Sequence, residues 1–278
     1  MGETVFAEQA EISQIGFSSF RDGYWQIWRM DSDGGNLRQI TKSPSDKREP
    51  LWFDKGQKLL YRISNAKLYV KDLKTGEETG FLEQYGNILN PDFSADGRRI
   101  LFTRFRTDIT DSSDIWSASL APDANESKRL TREPGIQYDA DISPDGKSVV
   151  YVSSSKGKGH GIWLADLEGK SHVCLKEDGF YNICPDWSPE GKKIAFASNA
   201  EGNYDIWVMD SDGKNQTRLT TDNGLDTQPK WSRDGKDILF ISNRLGNTQV
   251  WIMKADGSDQ KALTPKDMRC ADPTWIDF

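Results

Sequence analysis

Few residues in this 278-residue chain are of the types that do covalent chemistry. The two histidines, His160 and His172, fall in or near expected turns, and no Gly-x-Ser-x-Gly segment supplies a hydrolase nucleophile elbow. Ser153-Ser154-Ser155-Lys156 has a Ser-x-x-Lys spacing, in which a lysine can activate a serine. It takes the place of an ordinary Ser-Asn loop start elsewhere in the chain, so no catalytic residue is assigned. Asp31-Ser32-Asp33-Gly34 and Asp210-Ser211-Asp212-Gly213 begin like calcium loops but lack the glutamate that completes one, and they read as tight turns.

Recognition is better supplied than catalysis. Glu49, Asn90, Asp139, Cys184, Gln228 and Asp272 each stand three residues before a large apolar position, namely Trp52, Phe93, Ile142, Trp187, Trp231 and Trp275. Carboxylates and amides at one repeated position suit a cation, calcium included, or the basic groups of a peptide. The plainer alternative is that they hydrate a channel or cap loop backbone. No cofactor is expected.

These positions recur because the chain is a repeat. The tryptophan at 187 returns at 231, a step of 44, and again at 275. Periods of about 20 to 50 residues mark solenoids, propellers or arrays. Five copies open at Trp52, Phe93, Ile142, Trp187 and Trp231, and each reads as four short strands. In the copy at Pro229 these are Pro229 to Ser232, Ile238 to Ser242, Gln249 to Lys254 and Gln260 to Thr264. Ser-x-Asp-Gly and Asp-Gly-Ser segments between them tolerate the positive φ that tight turns require. The head of the chain, from Ile15, lacks an opening strand, whereas Pro273-Thr274-Trp275-Ile276 at the tail is an opening strand without a hairpin. Head and tail together make a sixth unit, so the expected fold is an all-β, six-bladed antiparallel propeller spanning residues 15–278. Its ring is closed by the C-terminal strand pairing into the N-terminal blade, after a tail at residues 1–14 with a short paired segment at Ala10 to Ser13.

Composition excludes other classes. A formal charge of −7 with interspersed signs lacks the basic stripe of a nucleic-acid binder. No apolar run reaches the roughly 18 to 20 residues of a membrane-spanning helix. Residues 1–14 lack the charged start and apolar centre of a signal peptide. Cys174, Cys184 and Cys270, an odd set without Cys-x-x-Cys spacing, predict no disulfide framework and read as small buried thiols, with a Cys174–Cys184 bridge left open.

The pattern Pro-x-Trp-Ser-x-Asp-Gly-Lys-x-Ile-x-Phe-x-Ser, followed by Asp-Ile-Trp-x-Met-x-x-Asp-Gly and Leu-Thr, resembles the TolB-like β-propeller repeat. Copies cover residues 15–278. The resemblance implies a periplasmic or secreted propeller that grips a protein or peptide at one channel mouth; the chain is expected to be monomeric and non-enzymatic, with an envelope lipoprotein among the expected partners. With no export segment visible, a cytoplasmic location stays open.

Four antiparallel strands per blade put the first and third turns on one face and the longer, varied second and fourth connections on the other. Variable loops on a rigid scaffold are where binding concentrates. That face is expected to carry Trp25, Arg104, Arg106, Tyr138, Tyr181, Tyr204 and Arg244 as partner-binding residues around the mouth ring. Phe20, Tyr24, Phe105 and Phe180 lie with them. The strand tryptophans Trp28, Trp116, Trp163, Trp207 and Trp251 are expected to pack blades together. A different function would use Glu49, Asp139 and Asp272 to bind or cleave carbohydrate, or make the chain an accessory propeller of a larger enzyme.

Overall fold

The repeats fold as separate sheets that share their cores. The computed structural model describes residues 13–107, 111–121, 126–154 and 159–276, and within them lie six four-stranded antiparallel sheets. The innermost strands of blades 1 to 6 are Arg269–Ile276, Lys47–Phe53, Leu89–Phe93, Gln137–Ile142, Asn182–Trp187 and Asp226–Trp231. Blade 1 is composite: Arg269–Ile276 pairs with Gln14–Arg21 from the other end of the repeat array, with Ile15 opposite Trp275. Most of the segment expected at Ala10 to Ser13, and residues 277–278, lie outside the described residues.

Burial on both faces of each middle strand follows from stacking. One apolar cluster fills each of the six blade interfaces. Between blades 5 and 6, Ala195, Ala197, Ile206 and Val208 meet Trp231, Phe240, Trp251 and Met253. Trp28 and Trp251 are buried, as inter-blade packing requires. Room is tight between blades 1 and 2, where a Cβ on Gly16 would lie 1.9 Å from the Trp52 ring.

Two local devices explain the repeated motifs. In Ser-x-Asp-Gly the serine hydroxyl donates to the aspartate (Ser143 Oγ to Asp145 Oδ1, 2.6 Å; Ser232 to Asp234, 2.8 Å), and the glycine takes positive φ. In Leu-Thr the threonine hydroxyl accepts the amide of the neighbouring third strand, as Thr41 does from Ile27 and Thr220 from Ile206, both at 2.9 Å. Where that strand opens with aspartate, an arginine two residues before the threonine pairs with it: Arg129 with Asp114 at 2.8 Å and Arg218 with Asp205 at 2.7 Å.

The innermost strands depart from expectation. In blade 6 the strand begins at Asp226, three residues before Pro229, because each inner strand carries a β-bulge. The register shifts in all six. The proline therefore lies within a strand, at its bulge, where no ladder amide is needed. The outer strand is shorter than expected, Lys261–Ala262.

Candidate functional site at the channel mouth

The bulge is where the chemistry sits. Glu49, Asn90, Asp139, Cys184, Gln228 and Asp272 all hold left-handed backbone, with φ between 48° and 55°. For residues other than glycine this costs about 1 to 3 kcal/mol each unless the surroundings fix it. The neighbouring blade does so. Five of the six side chains reach the backbone N–H of the corresponding residue one blade on: Glu49 accepts from Asn90 (3.0 Å), Gln228 from Asp272 (2.9 Å) and Asp272 from Glu49 (3.2 Å). Asp139 accepts likewise from Cys184, and Cys184 from Gln228. The six residues line one cavity of about 280 Å³ on the channel axis. Sequence spacing placed them in a ring, and the structure makes the ring a set of staples between blades.

Arginines answer two of its three carboxylates. Arg48 Nε lies 2.6 Å from Asp272, and Arg62 lies 2.8 Å from Glu49. Burial alone would raise the Asp272 pKa, but Arg48 overrides it and holds the carboxyl below its usual range. Asp139 differs. Its side-chain neighbour is the Cys184 thiol, which donates at 3.3 Å, and burial pushes its pKa up to about 6.

A second tier, two residues deeper, was not singled out from the sequence: Asp92, Asp141, Asp186 and Lys230. Asp141 accepts the Trp187 amide at 2.6 Å and Asp186 the Trp231 amide at 2.7 Å, so these too staple blade to blade. Lys230 lies 2.6 Å from Asp186, whose pKa burial still raises to about 6. Burial, and then the adjacent Asp92 carboxylate, pushes Asp141 well above its usual range, and burial raises Asp92 as well. Its signal was the aspartate directly before Phe93, Ile142 and Trp187 in successive copies.

Two aromatic groups flank the mouth on opposite sides. On blades 1 and 2, Trp25 packs edge-on to Phe20 with ring centroids 5.8 Å apart, under the Arg48 guanidinium at 4.1 Å and Arg269 at 5.6 Å. Asp46 accepts the Trp25 amide at 2.9 Å. On blades 4 and 5, Tyr138 and Tyr181 enclose His160, at centroid separations of 5.5 and 4.7 Å. Burial lowers the His160 pKa and raises that of Tyr138. The Tyr138 hydroxyl and His160 Nδ1 share a hydrogen bond of 2.6 Å. His160 was passed over in the sequence because its partners lie 22 residues upstream and 21 downstream. Tyr204 lies within electrostatic reach of Tyr181 and Cys184.

The remaining expected residues are spread out. Arg104 lies over Trp116 at 5.5 Å. Arg106 is buried, bidentate to Asp114, and donates to the Glu133 carbonyl. Arg244 pairs with Asp222 and Asp226, both at 2.6 Å, above the Trp251 ring. The charges of Arg106 and Arg244 are thus committed within the chain. The cysteines form no disulfide, and Cys174 is exposed rather than buried because it lies on the outer strand His172–Lys176. Among the described residues no group of three or more His, Cys, Asp and Glu side chains is arranged to hold a metal, and no helix is long and apolar enough to cross a membrane.

Six bulged inner strands around a polar channel, with the loops gathered at one mouth, can be set against known proteins. The TolB beta propeller domain family matches residues 156–277. An uncharacterized protein of Agrobacterium fabrum, Atu1656, is 32% identical over 185 residues, which is 61% of this chain and 60% of that one. A TolB homolog of Chlorobium luteolum is 29% identical over 157 residues, covering 56% of this chain and 34% of that protein. The crystal structure of TolB from Acinetobacter baumannii superposes with a TM-score of 0.78 at 25% identity, over 95% of this chain and 66% of that one.

The chain is a six-bladed β-propeller that is similar to TolB. It spans about a third to three fifths of the curated relatives it matches. A larger hollow than the mouth cavity, about 780 Å³, lies on the turn face between blades 6 and 1. Asp234, Asp237 and Lys254, which line it, are paired locally, Lys236 to Asp234 and Lys254 to Asp237, so the mouth is the better candidate site.

Proposed function

We propose that this propeller is a non-enzymatic binding module that captures a protein, through an exposed peptide segment, at the mouth formed by its longer loops. One observation carries the reading. Of the large hydrophobic side chains that stay exposed among the described residues, Phe20, Tyr24, Phe105, Phe180, Tyr181, Leu225 and Leu245 belong to the loop face, and only Val173 lies elsewhere. Aromatic residues left in water around a concave polar centre suit a protein interface. Pairing of Arg269–Ile276 with Gln14–Arg21 would act as the clasp that keeps this mouth in one shape. The TolB likeness supports a periplasmic or secreted setting and an envelope protein as partner.

A pull-down tests it. The purified chain, a loop-face variant (Arg104→Ala, Phe180→Ser, Tyr181→Ala) and a turn-face variant (Arg233→Ala, Lys254→Ala) are each incubated with envelope extract. A partner held by the wild type and the turn-face variant, but lost from a loop-face variant of unchanged melting temperature, is the expected result. Equal recovery by all three would place binding elsewhere.

A further inference from the structure

Across this face, aromatic rings come with a cation from the chain itself. Arg21 lies over Trp28, Arg48 over Trp25, Arg104 over Trp116 and Arg244 over Trp251, at 4.1 to 5.7 Å. Carboxylates of the ring follow the same habit, Asp272 taking Arg48 and Glu49 taking Arg62. The blade 4 and 5 side breaks it. Among the described residues no lysine or arginine lies over Tyr138, Tyr181 or Tyr204, and none is within ion-pair distance of Asp139. Lys230, whose charge reaches Asp139, is already held by Asp186 at 2.6 Å.

We infer that Tyr138, Tyr181 and Asp139, with His160 between the tyrosines, form a subsite for a basic side chain, a lysine ammonium or an arginine guanidinium, on the captured segment. This rests on the binding function proposed above and names the chemistry of what binds. A cation there meets the negative face of the tyrosine rings and a carboxylate that has no ion-pair partner among the described residues. Both terms gain because the mouth is partly shielded from water. Tyr181, 46% exposed, supplies the accessible wall, while Tyr138, fixed by its bond to His160, supplies the rigid one. The Trp25 side cannot serve in the same way, since Arg48 and Arg269 already cover that ring.

The test uses three blocked pentapeptides, acetyl-Ala-Ala-X-Ala-Ala-amide, with X as lysine, arginine or norleucine. Each is titrated into the isotopically labelled chain, following the His160 and Tyr181 ring signals by NMR. Lysine and arginine peptides are expected to shift both signals, and the norleucine peptide is not. Asp139→Asn should weaken the basic peptides by about tenfold. Asparagine accepts left-handed backbone, so the bulge survives. Tyr181→Ala, at an exposed site, should weaken them by a similar factor with no effect on folding. If norleucine shifts the signals as strongly as lysine, the mouth binds peptides but the cation subsite is wrong. If no peptide shifts them at several millimolar, the subsite is also wrong, and the pull-down then decides by itself whether the mouth captures protein.

Discussion

Aspartate does opposite work on the two sides of this ring. On the turn face, Asp96, Asp145 and Asp234 accept a serine hydroxyl and a backbone amide in water, and their pKa values fall. Inside the channel, Asp139, Asp141 and Asp186 also accept backbone amides, yet their pKa values rise because burial outweighs those bonds. The hydrogen bonds are of one kind, and the solvent decides the sign. A turn aspartate closes four residues of one hairpin, whereas a channel aspartate ties blades some 45 residues apart, as Asp186 does with Trp231. The difference teaches where the ring is held together and where it is merely folded back.

The largest effect should come from the clasp side of the channel. Asp272→Ala removes the bidentate partner of Arg48 and the acceptor of the Glu49 amide, and is expected to cost about 3 kcal/mol in urea unfolding. A loss under about 1 kcal/mol would mean that water replaces the staple at little cost and that the channel is no different from the surface.

The pH dependence comes next. Asp139 and Asp186 titrate near about 6 when folded against a usual 3.8, so the folded state keeps protons that the unfolded chain has released in between. Their contribution to stability is therefore full below the unfolded value and is lost as pH rises through the folded one. The unfolding free energy from urea titrations should increase from pH 7 to pH 5, by on the order of 2 kcal/mol, with the midpoint rising alongside, and Asp186→Asn should flatten that rise. A midpoint that falls steadily over the same interval would contradict the assignment. Turn aspartates behave in reverse, adding stability above the usual carboxylate range that is lost as pH drops through their lowered pKa values.

A smaller loss is expected on the turn face. Asp234→Ala takes away one serine bond and one amide bond in water, for about 0.5 to 1 kcal/mol by thermal unfolding. Should it match Asp272→Ala, the contrast between local and inter-blade aspartates collapses. Smallest of all is Tyr181→Ala, expected to stay within about 0.5 kcal/mol of wild type while abolishing partner capture. A large drop in melting temperature would make Tyr181 a packing residue instead.

Much of this was legible in the residues. Periodicity exposed the blades, and the six-fold recurrence of Glu49, Asn90, Asp139, Cys184, Gln228 and Asp272 exposed the ring. Asp-Gly pairs marked the hairpins because only a few residue types accept positive φ. Less visible was the bulge, since proline before Lys230 reads equally as a strand start. The engagement of Arg106 and Arg244 was hidden for a similar reason: an arginine in a loop looks the same whether its partner is solvent or a buried aspartate. His160 gave no signal, because its meaning lies in rings brought to it from neighbouring connections.

The chain by itself determined the strands, the turns and the number of blades, all set by steric and hydrophobic preferences acting over a few residues. Tertiary structure alone decided which carboxylates are charged, paired or protonated, and which aromatic faces are already occupied. Those properties depend on burial and on partners about 45 residues away, and neither is encoded in the local spacing that repeats so faithfully along the sequence.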